Sequence, residues 1–177
     1  MIKVLFVCLG NICRSPAAEA CFRALLARRG LADRVFVDSA ATSSFQIGRP
    51  PDHRAQSVAR GRGLDLSDLR ARQVQQADFD RFDHTLAMDR TVLDDLRKIC
   101  GAAARTRVGP FLEGSSGVAC VDVPDPYLER DVEAFERMFD QIEAGCVRFL
   151  ERLEREHPGL LVPSPATEPG TAEARRR

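Results

Sequence analysis

The sequence has no tryptophan, only one tyrosine, and no excess of charge of either sign. Twenty-six basic residues balance 26 acidic ones, so the net charge does not indicate binding to nucleic acid or to an anionic membrane surface. No apolar run approaches the roughly 20 residues that cross a bilayer. The apolar start of the chain soon meets Gly10, Asn11 and Arg14, unlike a signal peptide. We therefore expect a cytoplasmic protein that neither inserts into a membrane nor binds nucleic acid.

The six cysteines form no Cys-x-x-Cys pair, which argues against a structural zinc site. The three histidines, His53, His84 and His157, lie far apart and show no metal-ligand spacing, so they are expected to be structural or exposed. We accordingly expect no metal and no other cofactor. In a chain of this length without an export signal, reduced thiols are expected rather than a disulfide framework.

Apolar, β-branched runs alternate with helical patterns along the 177 residues. The runs predict strands at residues 3–7, 35–40, 84–88 and 107–112. The helical patterns predict helices from residue 15 to Gly30 and at 52–60, 91–100 and 131–155. This alternation predicts an α/β fold with a mostly parallel sheet and helices on both faces. Periodicity stops after His157, so we expect one domain over residues 1–157 and a disordered tail over 158–177.

Ligands of open α/β sheets bind at the carboxyl ends of the strands, which points to the loop after the first strand. There the sequence reads Cys-x5-Arg-Ser, from Cys8 to Arg14 and Ser15. Gly10 and Asn11 tolerate left-handed backbone angles, so successive N–H groups can curl around an anion at the start of the next helix. The predicted phosphate-binding loop is Leu9, Gly10, Asn11, Ile12, Cys13, Arg14 and Ser15.

Within this loop, Arg14 can hold two phosphate oxygens with its planar guanidinium. Cys8 faces the same positive charge, which favours its thiolate, and a thiolate beneath a bound phosphate is a nucleophile for phosphoryl transfer. Ser15 can hydrogen-bond that thiolate. A buried structural cysteine beside an ordinary arginine is the alternative for Cys-x5-Arg taken alone. Cys13 has two open interpretations: a reversible disulfide with Cys8, or a small side chain packed under the loop.

The segment VCLGNICRSP resembles the N-terminal signature of the low-molecular-weight protein tyrosine phosphatases. The resemblance covers most of residues 2–153 and continues in VDSAAT, GRPPDHRA, RARQ, LAMDR and PDPY, in the family's order. It implies a four-stranded parallel sheet with the phosphate-binding loop between strand 1 and helix 1. It also implies metal-independent hydrolysis of phosphotyrosine in proteins or peptides, and of small aryl phosphates, through a phosphocysteine. Phosphotyrosine proteins and a cognate tyrosine kinase are the implied partners.

The resemblance also assigns roles beyond the loop. It makes Asp125 the proton donor to the leaving phenolate, with Asp122 as the nearest rival. It makes Ser39 the hydroxyl that supports Asn11. Phe45 stands where the family usually has tryptophan, and it forms the cleft wall with Tyr127.

Besides Phe45, further positions bear on how closely the chain follows the family pattern. Leu69 replaces a histidine that props the loop, so the support of Asn11 is in question. Leu128 replaces a second tyrosine. Ile12 stands where members resembling protein-arginine phosphatases carry threonine, and its apolar side chain favours an aryl phosphate. Arg70 and Arg72 are interpreted as solvated charges on a helix.

Two other functions remain open. An arsenate reductase on the same fold would use Cys8 with two further cysteines, but residues 74–99 contain none and Cys100 and Cys120 are not a close pair. A module that only binds phosphotyrosine would need neither Cys8 as nucleophile nor Asp125 as acid.

Overall fold

The computed structural model describes residues 1–112, 121–129 and 131–159. Its sheet has four strands, β1 (Ile2–Cys8), β2 (Val35–Ala41), β3 (His84–Ala87) and β4 (Val108–Pro110). The strand order is β2-β1-β3-β4, and all three neighbouring pairs are parallel. The predicted α/β fold with a four-stranded parallel sheet is confirmed.

The helices also follow the predicted pattern. They are α1 (Arg14–Arg28), α2 (His53–Gly61), α3 (Asp78–Arg81), α4 (Arg90–Ile99) and α5 (Glu133–Glu156), with a 3₁₀ helix at Ala102–Arg107 before β4. Gly30 follows α1 with φ of 68°, a left-handed angle that suits glycine after a helix end. Asp52 and Asp89 cap α2 and α4 by accepting backbone N–H groups of the first turn.

The sheet is covered on both faces because β1 alternates two sets of apolar side chains. Val4 and Phe6 belong to the core that includes α1, α2 and α5. Leu5 and Val7 belong to a second core that includes α4. Since both faces of β1 are buried from Val4 onward, its sequence after Lys3 is continuously apolar rather than alternating.

Helix α5 approaches the sheet closely at Gly145. A methyl group placed there would lie 2.5 Å from Leu112 Cδ2 and 2.6 Å from Phe111 Cζ. Glycine therefore permits the close contact between the middle of α5 and the segment after β4.

Part of the sequence lies outside the described residues. Residues 160–177 of the predicted tail, and Cys120 in the loop before Val121, belong to that part, so the disordered tail and the domain boundary at residue 157 stay predictions. Among the described residues, no helix is both long and apolar enough to cross a bilayer.

Candidate active site

The loop between β1 and α1 curls around the sulfur of Cys8. Cys8 is the last residue of β1, and Arg14 is the first residue of α1. Between them Asn11 adopts φ of 55°, the only positive φ of a non-glycine residue among those described. The Asn11 backbone N–H donates to Cys8 Sγ, with 3.1 Å between nitrogen and sulfur. The left-handed angle, which asparagine tolerates well, thus closes the predicted phosphate-binding loop.

Ser15 supports the same sulfur from the first turn of α1. Its Oγ lies 3.1 Å from Cys8 Sγ and 3.3 Å from the carbonyl oxygen of Ala40. The hydroxyl is fully buried. Its proton can therefore be donated to a Cys8 thiolate, which would stabilise the charged sulfur.

Arg14 is buried and held by two carboxylates. Its Nη1 donates to Asp89 Oδ2 at 2.6 Å and to the Val123 carbonyl at 3.3 Å, while Nη2 donates to Asp125 Oδ2 at 2.6 Å. Burial acts to lower the pKa of Arg14, but Cys8 and the two carboxylates outweigh it and raise the pKa above its ordinary value. Asp89 also caps α4, so it both begins that helix and braces the arginine.

A cleft of about 190 Å³ opens above this loop. Its lining brings together the predicted residues Cys8, Leu9, Gly10, Ile12, Cys13, Arg14, Phe45, Asp125 and Tyr127. Phe45 is 88% exposed and Tyr127 is 45% exposed, so the two rings form an open rim rather than a closed pocket. An aromatic ring entering the cleft would meet apolar walls and reach the polar groups only at the base.

Asp125 and its rival Asp122 have different surroundings. Asp125 lines the cleft, and its Oδ1 accepts the backbone N–H of Tyr127 at 3.1 Å. Asp122 lies outside the lining and accepts the backbone N–H of Arg90 at 3.0 Å. The geometry favours Asp125 as the carboxyl group that meets a substrate.

Cys13 is a free thiol, as is Cys8, and it lines the cleft while being only 3% exposed. Burial is the main cause that raises its pKa, followed by the charge of Asp52. Cys13 therefore stays a neutral thiol near neutral pH, while Cys8 lies among hydrogen-bond donors. The two interpretations of Cys13, a reversible disulfide with Cys8 or a small side chain packed under the loop, both stay open.

Residues 3–158 match the family model described as "Low molecular weight phosphotyrosine protein phosphatase". The chain belongs to this family. Among its relatives, the low molecular weight protein-tyrosine-phosphatase YfkJ of Bacillus subtilis is 40% identical over 156 residues, covering 88% of this chain and 98% of the relative. The human low molecular weight phosphotyrosine protein phosphatase is 42% identical over 151 residues, covering 85% and 94%.

Solved structures agree with this assignment. A crystal structure of a protein tyrosine phosphatase from Entamoeba histolytica, with Hepes in its active site, is 34% identical. It superimposes with a TM-score of 0.82 over 88% of this chain and 99% of its own. The crystal structure of YfkJ gives a TM-score of 0.80 over 88% and 96%.

This phosphatase holds its loop by a network centred on Asn11. The Asn11 amide nitrogen donates to Ser15 Oγ and to Ser39 Oγ, both at 2.9 Å. Its amide oxygen accepts the backbone N–H of Arg72 at 3.0 Å. With both ends of the buried amide bonded, the left-handed angle of Asn11 is fixed by its side chain, and Ser39 lies where the resemblance implied.

Glu19 is a member of this network that the sequence did not reveal. It is buried in α1, accepts the Ser39 hydroxyl at 2.5 Å, and pairs with Arg23 at 2.6 Å. Burial raises the pKa of Glu19 in spite of these two partners. The available signal was an acidic residue within the apolar stretch PAAEACF, one helical turn after Ser15.

The prediction that Arg72 is a solvated helix charge is wrong. Residues 69–72 lie in no helix, and the Arg72 guanidinium bonds Asp38 at 2.9 Å and Asp78 at 2.8 Å. These carboxylates, from β2 and α3, anchor the backbone whose N–H holds Asn11. The support expected from a histidine at position 69 is therefore supplied by the main chain, while Leu69 packs against the core.

Proposed function

We propose that this phosphatase hydrolyses phosphotyrosine in proteins or peptides, and small aryl phosphates, through a phosphocysteine formed on Cys8. One observation carries the proposal: Cys8 Sγ lies at the base of an apolar cleft within 3.1 Å of the Asn11 N–H and of Ser15 Oγ. These donors stabilise a thiolate, and a thiolate under a bound phosphate is placed for in-line attack.

In the first step, the Cys8 thiolate attacks phosphorus and the bond to the phenolic oxygen breaks. The loop N–H groups and Arg14 bind the phosphate oxygens, whose charge displaces Asp125 from its contact with Arg14. A protonated Asp125 carboxyl group at the cleft then gives its proton to the leaving oxygen.

In the second step, water attacks the phosphocysteine and the phosphorus–sulfur bond breaks. Asp125, now a carboxylate, takes a proton from the water. The electron pair returns to sulfur, and Ser15 Oγ and the Asn11 N–H stabilise the departing thiolate. The cycle leaves inorganic phosphate and a free Cys8, and it consumes no cofactor.

The cleft favours an aromatic ester over a phosphorylated guanidinium. Ile12 lines it with an apolar side chain and offers no hydroxyl to a guanidinium group. Phe45 and Tyr127 supply aromatic faces for a phenyl ring. The family and the names of its relatives make arsenate reduction and binding without turnover the less favoured functions.

Two finer points extend this proposal. A catalytic thiol needs a reducing compartment, and five cysteines are free thiols in the described residues, which supports a cytoplasmic location. Cell fractionation would test it. Tyr127 is half-exposed at the cleft edge, which supports a tyrosine kinase as a partner that phosphorylates it. Incubation with tyrosine kinases, followed by mass spectrometry of Tyr127, would test that.

The deciding experiment is hydrolysis of p-nitrophenyl phosphate with EDTA and a reductant present. Wild type should turn over, and Cys8→Ser should lose turnover while still binding an oxyanion such as vanadate. Cys100→Ser, which changes a buried thiol in the other core, is the matched control and should stay active. Turnover retained by Cys8→Ser would overturn the mechanism.

A further inference from the structure

A cluster of two histidines and a glutamate lies far from the catalytic loop. His84 is the first residue of β3, Glu156 is the last residue of α5, and His157 follows it. One ligand atom from each side chain lies within 4.8 Å of the others. We call the side of the sheet where the strands begin the amino edge. We propose that His84, Glu156 and His157 bind a divalent transition-metal ion at the amino edge.

Packing of α5 on the sheet brings the three residues together. His84 lies on the same sheet face as Leu86, the face covered by α5. Its ring meets the edge of Phe149 at a centroid distance of 5.6 Å and that of His157 at 6.2 Å. The half-buried His84 is thus fixed on one side, and the other two ligands come from the end of α5.

The donor set suits a borderline metal ion. Two imidazoles, one carboxylate and a solvent molecule form a set that Zn²⁺ accepts, and imidazole also binds Co²⁺, Ni²⁺ and Cu²⁺. Donor atoms about 2.1 Å from a tetrahedral zinc lie about 3.4 Å apart. Rotation of the exposed Glu156 and the half-buried His157 can contract the cluster to that size.

The electrostatic surroundings favour a cation on balance. The last carbonyl groups of α5 point their negative ends towards His157, and Asp83 lies beside His84 in sequence. Burial lowers the pKa of His84, which leaves its imidazole neutral and able to coordinate. Arg152 opposes the cation, but its Nε lies 3.7 Å from Glu156 Oε1, a long distance for an ion pair, and the Glu156 side chain is exposed.

A bound ion would join the end of α5 to the start of β3. Because the ion binds the folded chain better than the unfolded one, it would raise thermal stability by mass action. At an ion concentration of about 100 times Kd, we expect a rise in Tm of roughly 5–10 °C. The role is structural and does not depend on the proposed phosphatase mechanism.

The test is calorimetric titration of ZnCl₂ into the full chain, with Tm measured in parallel. Every protein carries Cys8→Ser, so that the catalytic thiolate does not compete for zinc. We expect one ion per chain. His157→Gln or His84→Gln should weaken zinc binding at least about tenfold, because removing a residue that merely hydrogen-bonds a metal ligand already weakens binding by about that factor. His53→Gln is the matched control, since its side chain is 90% exposed and lies elsewhere.

Two results would overturn the proposal: no zinc binding below millimolar concentration, or equal affinity in His157→Gln and His53→Gln. His84→Gln could unfold because His84 packs on Phe149. Glu156→Gln at an exposed position then serves as the second ligand variant. Imidazole ¹⁵N shifts during titration provide a further check, since zinc should move the signals of His84 and His157 and leave those of His53 in place.

Discussion

The carboxyl edge of the sheet and its amino edge both gather side chains that can bind a ligand, but they use different parts of the chain. At the carboxyl edge, eight consecutive residues, Cys8 to Ser15, supply the proposed nucleophile, the backbone donors and Arg14. At the amino edge, His84 meets Glu156 and His157 only through the packing of α5. A site built by one loop leaves a motif in the sequence, whereas a site built by tertiary packing does not.

The largest expected effect tests whether catalysis is confined to the carboxyl edge. Asp125→Ala should slow phenyl phosphate hydrolysis by about 10²–10⁴, because the leaving phenolate loses its proton donor. The loss should be smaller for p-nitrophenyl phosphate, whose leaving group needs a proton less. Steady-state kcat on both esters measures the difference.

Two controls accompany that measurement. Asp122→Ala should keep the wild-type rate, since Asp122 bonds the Arg90 backbone outside the cleft. His157→Gln at the amino edge should also keep it. A slow His157→Gln variant would mean that the two edges are coupled, and a slow Asp122→Ala variant would move the acid to that residue.

A second prediction separates the two properties of Asn11, its left-handed angle and its side-chain bonds. Asn11→Ala should lower the free energy of unfolding by about 2–4 kcal/mol, since it strains the backbone and leaves the Arg72 N–H without its acceptor. Asn11→Gly keeps the angle at no steric cost, so it should be about 1 kcal/mol less harmful. Urea denaturation measures both variants.

Activity then shows what the side-chain bonds do for catalysis. If they hold the loop around Cys8, Asn11→Gly should lose kcat even where it is folded. Wild-type kcat in the folded Asn11→Gly variant would show that the loop keeps its shape through the backbone alone, as a purely local motif.

The smallest expected effect concerns the buried Glu19. Burial raises its pKa in the folded chain above the usual 4.5, so its contribution to stability is complete below about pH 4.5 and is lost as the pH rises through the folded pKa. Glu19→Gln lacks this loss and should gain stability relative to wild type over that range, by about 1 kcal/mol. Denaturant unfolding between pH 4 and 8 tests this.

Glu151→Gln is the control for Glu19→Gln, because residue 151 lies exposed on α5. It should leave the pH profile of stability unchanged. A constant difference between Glu19→Gln and wild type at every pH would contradict a raised pKa and would assign Glu19 a purely geometric role.

The four strands, the order of the elements and the Cys8 loop could be predicted from the sequence, because periodicity and local backbone chemistry depend on neighbouring residues. The hydrogen-bond network of Asn11 behind the loop could not be predicted from the sequence in the same way. Leu69 suggested a weakened support, yet the Arg72 backbone supplies the bond, and a main-chain donor has no signature in residue type. Arg72 itself was misread because Asp38 and Asp78 reach it only in three dimensions.

The histidines show the same limit. Spacing along the chain gave no sign of a metal site, since His84 and His157 are brought together by a strand start and a helix end. When the ligands of a site are far apart in sequence, the site is revealed only by the distance between the helices and strands that carry them. That distance depends on the whole α5–sheet interface, which a pattern of residues does not fix to within an ångström.

Gly145 shows how little space that interface leaves. Helix α5 behaves as a nearly stiff rod, and Gly145 is the point where it rests on Phe111 and Leu112. A single methyl group there would clash with Phe111 and Leu112 and would tilt α5, which would displace its C-terminal end, where Glu156 and His157 lie. The absence of a side chain at Gly145 thus sets the distance between the C-terminal end of α5 and His84, the first residue of β3.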